Sequence, residues 1–302
     1  MPLLPQNIAP ENADANENWR GILWAMGSVV GASAMAISVR GASFGLDSRV
    51  IVAYRGFFSL LILLILLMAL PYLRTQVRFS RPWAHILRGS CMCASVNLGF
   101  FALSLVPLAA AAVLFATAPI FATIFSVLLG RERVGPRRVG AIAVGFLGAI
   151  VVINPGAEVF DTNMLFAIGS SVFFGVALVM GRRLGREDGP MSTLISTTVM
   201  TLLLTLPFAS SNFGLPTNLS VVFWLAVLVV FGLFRQLADI QAYRYAQAAV
   251  IAPISYVRMV LIGIAAYFLF QEVPSLNTYA GGAIIIAATI YITNRERKLK
   301  QG

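Results

Sequence analysis

The sequence predicts an all-α polytopic membrane protein, and three observations support this fold class. Hydrophobic residues make up 59% of the 302 residues and charged residues only 11%, which is too apolar for a single soluble core. The apolar residues form runs of about 20, the length that a helix needs to cross about 30 Å of hydrocarbon. The connections between these runs are short and leave no room for a soluble domain. The strands of an outer-membrane barrel would instead appear as short alternating segments.

Ten runs follow one another along the chain, and we interpret each as a transmembrane span, numbered 1 to 10. The predicted spans are Gly21–Val39, Val50–Leu70, Pro82–Leu105, Leu108–Leu129, Arg137–Ile153, Asn163–Gly181, Met191–Phe208, Val221–Tyr243, Ala248–Phe270 and Leu276–Ile292.

Arginines in alternate connections predict the orientation of these spans. The connections after spans 3, 5, 7 and 9 contain no lysine or arginine, whereas those after spans 2, 4 and 6 contain several. Cytoplasmic loops carry the excess of basic residues, so both termini are predicted to be cytoplasmic, with tails at residues 1–20 and 293–302. The formal net charge of +10 is then a topology signal, and we expect no nucleic-acid partner.

The two halves of the chain resemble each other. Trp24–Val30 is similar to Phe166–Val172 at an offset of 142 residues, and Glu132 matches Glu272 at an offset of 140. We therefore predict two five-span repeats, over residues 21–153 and 163–292. Because five is odd, the second repeat lies upside down relative to the first. Inverted repeats of this kind enclose the substrate site of many carriers and exchange conformations to open it to either side.

Two longer segments carry a resemblance to a known family. They are FALSLVPLAAAAVLFATAPIFATIFSVLLGRERV in the first half and QAYRYAQAAVIAPISYVRMVLIGIAAYFLFQEV in the second. Each joins a small-residue junction to an apolar helix that ends in a glutamate, and with Arg55 early in span 2 they resemble the EamA-type carriers of the drug/metabolite transporter superfamily. The resemblance implies a bacterial inner-membrane exporter of amino acids and related metabolites. One departure is Arg131, which stands where the family pattern has a glutamate directly after Gly130.

Arg258 is the most informative polar residue inside the membrane. It lies near the middle of span 9, about 15 Å from either end at about 1.5 Å per residue. Beside Tyr256, and five residues after Pro253, its guanidinium could hold a carboxylate through two hydrogen bonds. It could instead pair permanently with Asp239. Since Arg235 and Asp239 are four residues apart on one helix, a third possibility is that they pair with each other and leave Arg258 for the substrate.

The other candidates are polar or aromatic residues predicted near the middle of the membrane. Each has a structural alternative: the aromatic rings could be core, Asn97 an interhelical hydrogen-bond donor, and Arg55 an interfacial anchor rather than a gate. Pro119 and Pro253 are candidate hinges or passive kinks. The candidate substrate-binding residues are Trp24, Ser28, Tyr54, Asn97, Phe101, Phe115, Ser170, Tyr256 and Arg258, and the candidate gating or structural ion-pair residues are Arg55, Arg235 and Asp239.

These residues favour a transporter over an enzyme, and we expect no cofactor and no metal. Span 1 has no carboxylate to exchange a proton for a cation, no ATP-binding loop exists, and the only histidine, His85, lies at a predicted membrane end. Cys91 and Cys93 are packed thiols by this interpretation. We predict a monomeric exporter in the lipid bilayer whose substrates are neutral, aromatic or hydrophobic amino acids. The alternatives are a proton-coupled exporter of drugs or other organic metabolites and, last, a membrane-embedded enzyme.

Overall fold

The computed structural model describes residues 15–130, 136–154, 161–209, 214–216, 218–245, 254 and 256–301. Within these ranges the chain is helical and contains no strand, which confirms the all-α class. The helices are α1 (Ala15–Ser43), α2 (Ser48–Ala69), α3 (Pro71–Arg74), α4 (Pro82–Leu105), α5 (Leu108–Phe115), α6 (Ala118–Gly130), α7 (Pro136–Ile153), α8 (Met164–Glu187), α9 (Gly189–Ala209), α10 (Leu219–Tyr245), α11 (Val257–Phe270) and α12 (Leu276–Gln301).

The described helices account for a polytopic membrane protein. Seven segments are long and apolar enough to cross a membrane, and three shorter apolar helices accompany them. The shorter helices are Val139–Ile153, Val257–Phe270 and Leu276–Tyr291. Several helices continue past the predicted spans, and α12 runs through the basic tail to Gln301. Hydropathy marks the edge of the hydrocarbon and not the end of a helix, because lysine, arginine and glutamate are good helix formers outside it.

The span predicted over Leu108–Leu129 is found as an apolar membrane span at Leu108–Leu128, but it consists of two helices, α5 and α6, with a break at Ala116 and Thr117. Pro119 follows the break and has no N–H to continue the helical ladder. The Leu114 carbonyl at the break accepts hydrogen bonds from Thr117 Oγ1 at 2.6 Å and from Ser171 Oγ of α8 at 3.1 Å. Side chains therefore satisfy backbone groups that the interrupted helix leaves free.

The most extensive helix packing joins the first half of the chain to the second. Helix α1 packs along α10, α7 along α12, and α4 against both α8 and α9. Small residues permit this approach: a Cβ added at Gly31 would lie 3.2 Å from the Phe231 carbonyl oxygen, and one at Gly281 would lie 2.5 Å from the Gly148 carbonyl oxygen. Close backbone contact of this kind is the usual basis of helix association in membranes.

Helix α5 lies at the centre of the main apolar core. All of its residues from Leu108 to Leu114 are buried, and they pack with α2, α11 and α12. Ile51, Ile262 and Ile285 are among the fully buried side chains of this core. The core surrounds one side of a cavity between the two halves of the chain.

Candidate functional site

A cavity of about 370 Å³ lies between the two halves of the chain, within the size range of small-molecule sites. Helices α1, α2, α4, α5, α6, α8, α9, α10 and α11 contribute to its wall. The apolar part of the wall includes Phe100, Phe115 and Phe174, and the polar part includes arginines, hydroxyls, the Gln236 amide and the Asp239 carboxylate. The cavity therefore offers both a surface for an apolar group and donors for a charged one.

The charged residues in the wall are strongly biased toward one sign. Among the residues that the structure describes, four arginines and one aspartate line the cavity, a formal net charge of +3. These residues are Arg55, Arg88, Arg235, Arg258 and Asp239. Charge inside a membrane protein is unfavourable unless it is paired or hydrated, so the excess of arginine indicates a site for anionic groups.

Asp239 is already occupied on both carboxylate oxygens. Ser28 Oγ on α1 donates a short hydrogen bond to Oδ1, and Arg235 Nε, one turn earlier on α10, lies 3.7 Å from Oδ2. The ion pair therefore forms within α10, the spacing favoured for helix side chains. The hydrogen bond from Ser28 ties α10 to α1, and Arg235 packs against Gly31 where these two helices meet.

Arg258 is left without a carboxylate partner. It is the second residue of α11, its Nε is buried, and this nitrogen has no hydrogen-bond partner. Among the residues that the structure describes, no carboxylate oxygen lies within 4.0 Å of its guanidinium. Arg235 is near enough to Arg258 and Arg55 to repel them, and Asp239 is near enough to Arg258 to attract it without forming an ion pair. Arg55 itself lies with Cζ 5.5 Å from the centre of the Phe100 ring, a cation–π contact.

Arg88 faces the same cavity from α4. Its Nη1 donates to the Thr193 carbonyl oxygen at 3.2 Å and to Thr197 Oγ1 at 2.6 Å, both on α9, while its buried Nε has no partner. Thr201 Oγ1, one turn further along α9, is also buried without a hydrogen bond. In the described part of the chain, the three buried side-chain atoms without partners belong to Arg88, Thr201 and Arg258, and all three residues line the cavity.

The cavity is closed at the end of the bundle opposite the termini. There the lining residues Val52, Phe100 and Leu103 are buried, at 1%, 3% and 3% exposure. Toward the other end, where α1 begins, the lining residues Arg88 and Thr193 are partly exposed. In the described part of the wall, the lining residues are thus more exposed toward the end that carries both termini.

An ion pair joins the two halves at the closed end. Arg40 Nη2 lies 2.5 Å from Glu272 Oε1, and Glu272 Oε2 accepts a 2.7 Å hydrogen bond from the Leu108 backbone N–H. Arg40 Nη1 also donates to the Ser104 carbonyl oxygen at 2.7 Å. The pair therefore connects α1, the junction of α4 with α5, and the segment after α11. Sequence reasoning placed Arg40 in a loop and did not match it with Glu272.

A second polar cluster joins the two halves at the end that carries the termini. His85 Nε2 lies 2.9 Å from Asp188 Oδ2, its Nδ1 lies 3.1 Å from Ser196 Oγ, and the Ser80 backbone N–H donates to both carboxylate oxygens of Asp188. Hydrogen bonds from Ser80, and then the interaction with His85, lower the pKa of the Asp188 carboxyl from its ordinary 3.8 to about 2. The turn that follows, at Gly189, has a φ of 84°, which favours glycine.

Six of the predicted site residues lie in the wall of the cavity: Phe115, Ser170, Arg258, Arg55, Arg235 and Asp239. Ser28 reaches the site through its hydrogen bond to Asp239. Pro119 adjoins the break between α5 and α6, and Pro253 lies outside the described residues. Sequence reasoning missed Arg88, which resembles a basic residue near a helix end. The hydroxyls of α9 could have been predicted to share one helix face, because Thr193, Thr197 and Thr201 recur every four residues.

The structure places the remaining candidates away from the cavity wall. Asn97 Nδ2 donates to Thr205 Oγ1 at 2.8 Å, and Tyr54 Oη donates to the Gly214 carbonyl oxygen at 3.0 Å. Phe101 packs edge-on against Phe166 at 4.8 Å between ring centres. Trp24 packs beside Ala25, and Tyr256 packs against the main core. For these side chains the structure provides interhelical contacts.

Comparison with known proteins identifies relatives over nearly the whole chain. The model of the EamA-like transporter family matches residues 19–154 and 162–294. An S-adenosylmethionine uptake transporter of Rickettsia bellii is 30% identical over 281 residues, which cover 92% of this chain and 94% of the relative. A riboflavin transporter of Vibrio cholerae is 29% identical, with coverage of 92% and 94%.

A solved crystal structure has the same fold. It superposes with a TM-score of 0.61 at 19% identity and covers 92% of this chain and 98% of its own. At that identity the likeness concerns the fold.

Proposed function

The chain belongs to the EamA-like transporter family, and from that premise we propose that it carries small organic metabolites with a carboxylate group across a bacterial inner membrane. Both S-adenosylmethionine and riboflavin, which name the relatives, are small organic molecules. The observation that carries the proposal is Arg258, whose buried Nε has no partner while Asp239 is occupied by Ser28 and Arg235.

An unpaired guanidinium in a mostly apolar cavity is a strong receptor for a carboxylate. Charge-assisted hydrogen bonds are about twice as strong as neutral ones, and an arginine can present two parallel N–H donors to a carboxylate. The low dielectric of the surroundings strengthens the attraction. A permanent internal pair with Asp239 would have removed this capacity.

The aromatic part of the wall supports a substrate with an apolar portion. Phe100, Phe115 and Phe174 line the cavity, and Leu178 and Leu194 extend the apolar surface. A neutral, aromatic or hydrophobic amino acid would place its carboxylate on Arg258 and its side chain against these groups. Its ammonium group would then be drawn toward Asp239. Amino acids of this kind are therefore one candidate group within the broader class of carboxylates.

Alternating access between the two repeats is the proposed mechanism. The positive-inside rule places the termini in the cytoplasm, so the cavity is proposed to face the cytoplasm in this conformation. Opening the far end requires the Arg40–Glu272 pair to separate. Loading from the cytoplasm suits export, whereas the relative from Rickettsia bellii is named for uptake. Direction in the cell depends on gradients, since a carrier of this type works both ways.

Reconstitution of the full-length chain tests the proposal. Liposomes preloaded with unlabelled L-phenylalanine, S-adenosylmethionine or riboflavin would each be diluted into the same labelled compound, and counterflow would be measured. We expect counterflow of a compound that bears a carboxylate, which phenylalanine and S-adenosylmethionine do. Counterflow of riboflavin alone, which has no carboxylate, would contradict the proposal. Conversion of a compound instead of its movement would indicate an enzyme.

A proton-coupled exporter is the second candidate, and Asp239 favours it as the one carboxylate in the described cavity wall. In that case Asp239→Asn would abolish accumulation driven by a proton gradient and would spare counterflow. Under a facilitative mechanism an imposed proton gradient would have no effect on either variant.

A further inference from the structure

We infer that the preferred substrate of this cavity carries two acidic groups, one bound by Arg258 and the other by Arg88. This inference rests on the proposed function and narrows the substrate class of the same site. Among the described residues of the cavity wall, Arg258 and Arg88 are the two arginines with a buried nitrogen that lacks a hydrogen-bond partner.

The net charge of the cavity wall favours a substrate with two negative charges. With four arginines and one aspartate, the wall has a formal charge of +3. A zwitterionic amino acid leaves that charge unchanged, and a monocarboxylate reduces it to +2. A dianion reduces it to +1. Because uncompensated charge in a membrane interior is unfavourable, the dianion gives the most stable loaded state.

Polar groups at and near Arg88 lack hydrogen-bond partners. Arg88 shares its Nη1 between two groups on α9 and has no carboxylate within 4.0 Å among the described residues. Thr201 Oγ1 lies one turn along α9 toward the middle of the bundle and is also unsatisfied. Buried polar groups in native proteins are nearly always hydrogen-bonded. Arg88, which lines the cavity without a carboxylate partner among the described residues, and the unsatisfied hydroxyl of Thr201 therefore indicate a second place for an acidic group.

The two arginines stand at different depths in the bundle. Arg88 is 17 residues before the end of α4, whereas Arg258 is 12 residues before the end of α11, and both helices end at the closed end. At about 1.5 Å per residue the two Cα positions differ in depth by roughly 7 Å. They also belong to different helices of the wall, since α4 packs mainly on α8 and α9 while α11 packs on α1 and α5. An elongated dianion can place one acidic group at each of these depths.

A ligand series on the purified full-length protein tests the inference without any substitution. Glutarate, glutaramate and glutaramide share one carbon chain and carry two, one and no carboxylates. Titration calorimetry should give a Kd for glutarate at least tenfold below that for glutaramate, since a charge-assisted hydrogen bond contributes about one tenfold step or more. Equal affinities of glutarate and glutaramate would overturn the inference.

Arg88→Gln locates the second group. This variant should shrink the ratio of the two Kd values to below about threefold, while Arg78→Gln, which removes an exposed arginine outside the cavity, should keep it. If Arg88→Gln keeps the same ratio of Kd values as the unaltered protein, the second acidic group is not bound by Arg88. If Arg88→Gln fails to fold, the ligand series on the unaltered chain still decides the inference.

The same titration separates this inference from the proposed function and from an inorganic anion. Binding of glutaramate as tight as that of glutarate contradicts the dianion and leaves the proposed function standing. Binding of glutaramide as tight as both acids contradicts the proposed function as well. The titrations are repeated in sodium chloride and in sodium gluconate at equal concentration. If chloride, but not gluconate, makes the Kd values of glutarate and glutaramate equal, Arg88 binds chloride. That result would also overturn the inference.

Discussion

Asp239 lies 3.7 Å from Arg235, one turn earlier on the same helix, and accepts a hydrogen bond from Ser28 instead of pairing with Arg258. Both carboxylate oxygens are therefore engaged on the α1–α10 side of the cavity. Arg258 faces the cavity with a buried Nε that has no partner. Arg235 and Asp239 thus form an internal ion pair, and Arg258 remains a cation without a carboxylate partner among the described residues.

Asp239→Asn should strengthen the binding of a carboxylate. The change raises the formal charge of the wall from +3 to +4 and releases Arg235 toward the cavity. We expect the Kd of 3-phenylpropionate, measured by titration calorimetry, to fall by about threefold to tenfold, because nearby charges act strongly in a low dielectric. Glu187→Gln removes an exposed carboxylate outside the wall and should leave the Kd unchanged. Weaker binding by Asp239→Asn would mean that the aspartate orients the site.

Breaking the Arg40–Glu272 pair should destabilise the closed end. Glu272→Gln leaves Arg40 partly buried, at 16% side-chain exposure, without a carboxylate, and weakens the contact with the Leu108 N–H. Removing one member of a buried pair is more damaging than removing both. Each single variant should therefore lower Tm by several degrees, and the Arg40→Gln, Glu272→Gln double variant should lower it by less than the sum. Additive losses in thermal unfolding would show that the two residues act independently.

The Asp188 cluster should give a stability difference that depends on pH. The folded-state pKa of Asp188 is lowered to about 2, so its contribution is fully present above about pH 4 and is lost as the pH falls toward 2. Asp188→Asn should lower Tm at pH 7, and the gap to the unaltered protein should narrow between pH 4 and pH 2. Asp161→Asn is the control for a carboxylate outside this cluster. A gap that stays constant with pH would contradict the assignment of the lowered pKa.

Hydropathy predicted the spans well but could not predict which way each side chain faces. A run of about 20 apolar residues fixes the depth of a helix, whereas its rotation is set by packing against neighbours. Asn97 and Phe101 lie at suitable depth, yet helix packing turns them toward Thr205 and Phe166. Phe115 lies at similar depth and does line the cavity. The sequence does not distinguish these cases.

The charged residues were more predictable than the aromatic ones. A charge inside the membrane has few acceptable positions, so the charge and predicted depth of Arg258, Arg235 and Asp239 were enough to predict that they lie near a cavity. Arg88 was missed because an arginine seven residues into a helix resembles an interfacial anchor. Its hydrogen bond to Thr197, 109 residues away in the chain, is a tertiary fact that no local pattern contains.

The most direct test of the account is the binding of 3-phenylpropionate and its uncharged amide to the Arg258→Gln protein. Gln keeps a polar side chain and removes the cation, while Arg258→Lys keeps the charge and loses the paired donors. We predict that Arg258→Gln raises the Kd of the acid at least tenfold and leaves that of the amide within about twofold, with Arg258→Lys between the two and the Arg78→Gln control unchanged. An unchanged Kd for the acid in a folded Arg258→Gln protein would contradict the claim that Arg258 binds the substrate carboxylate.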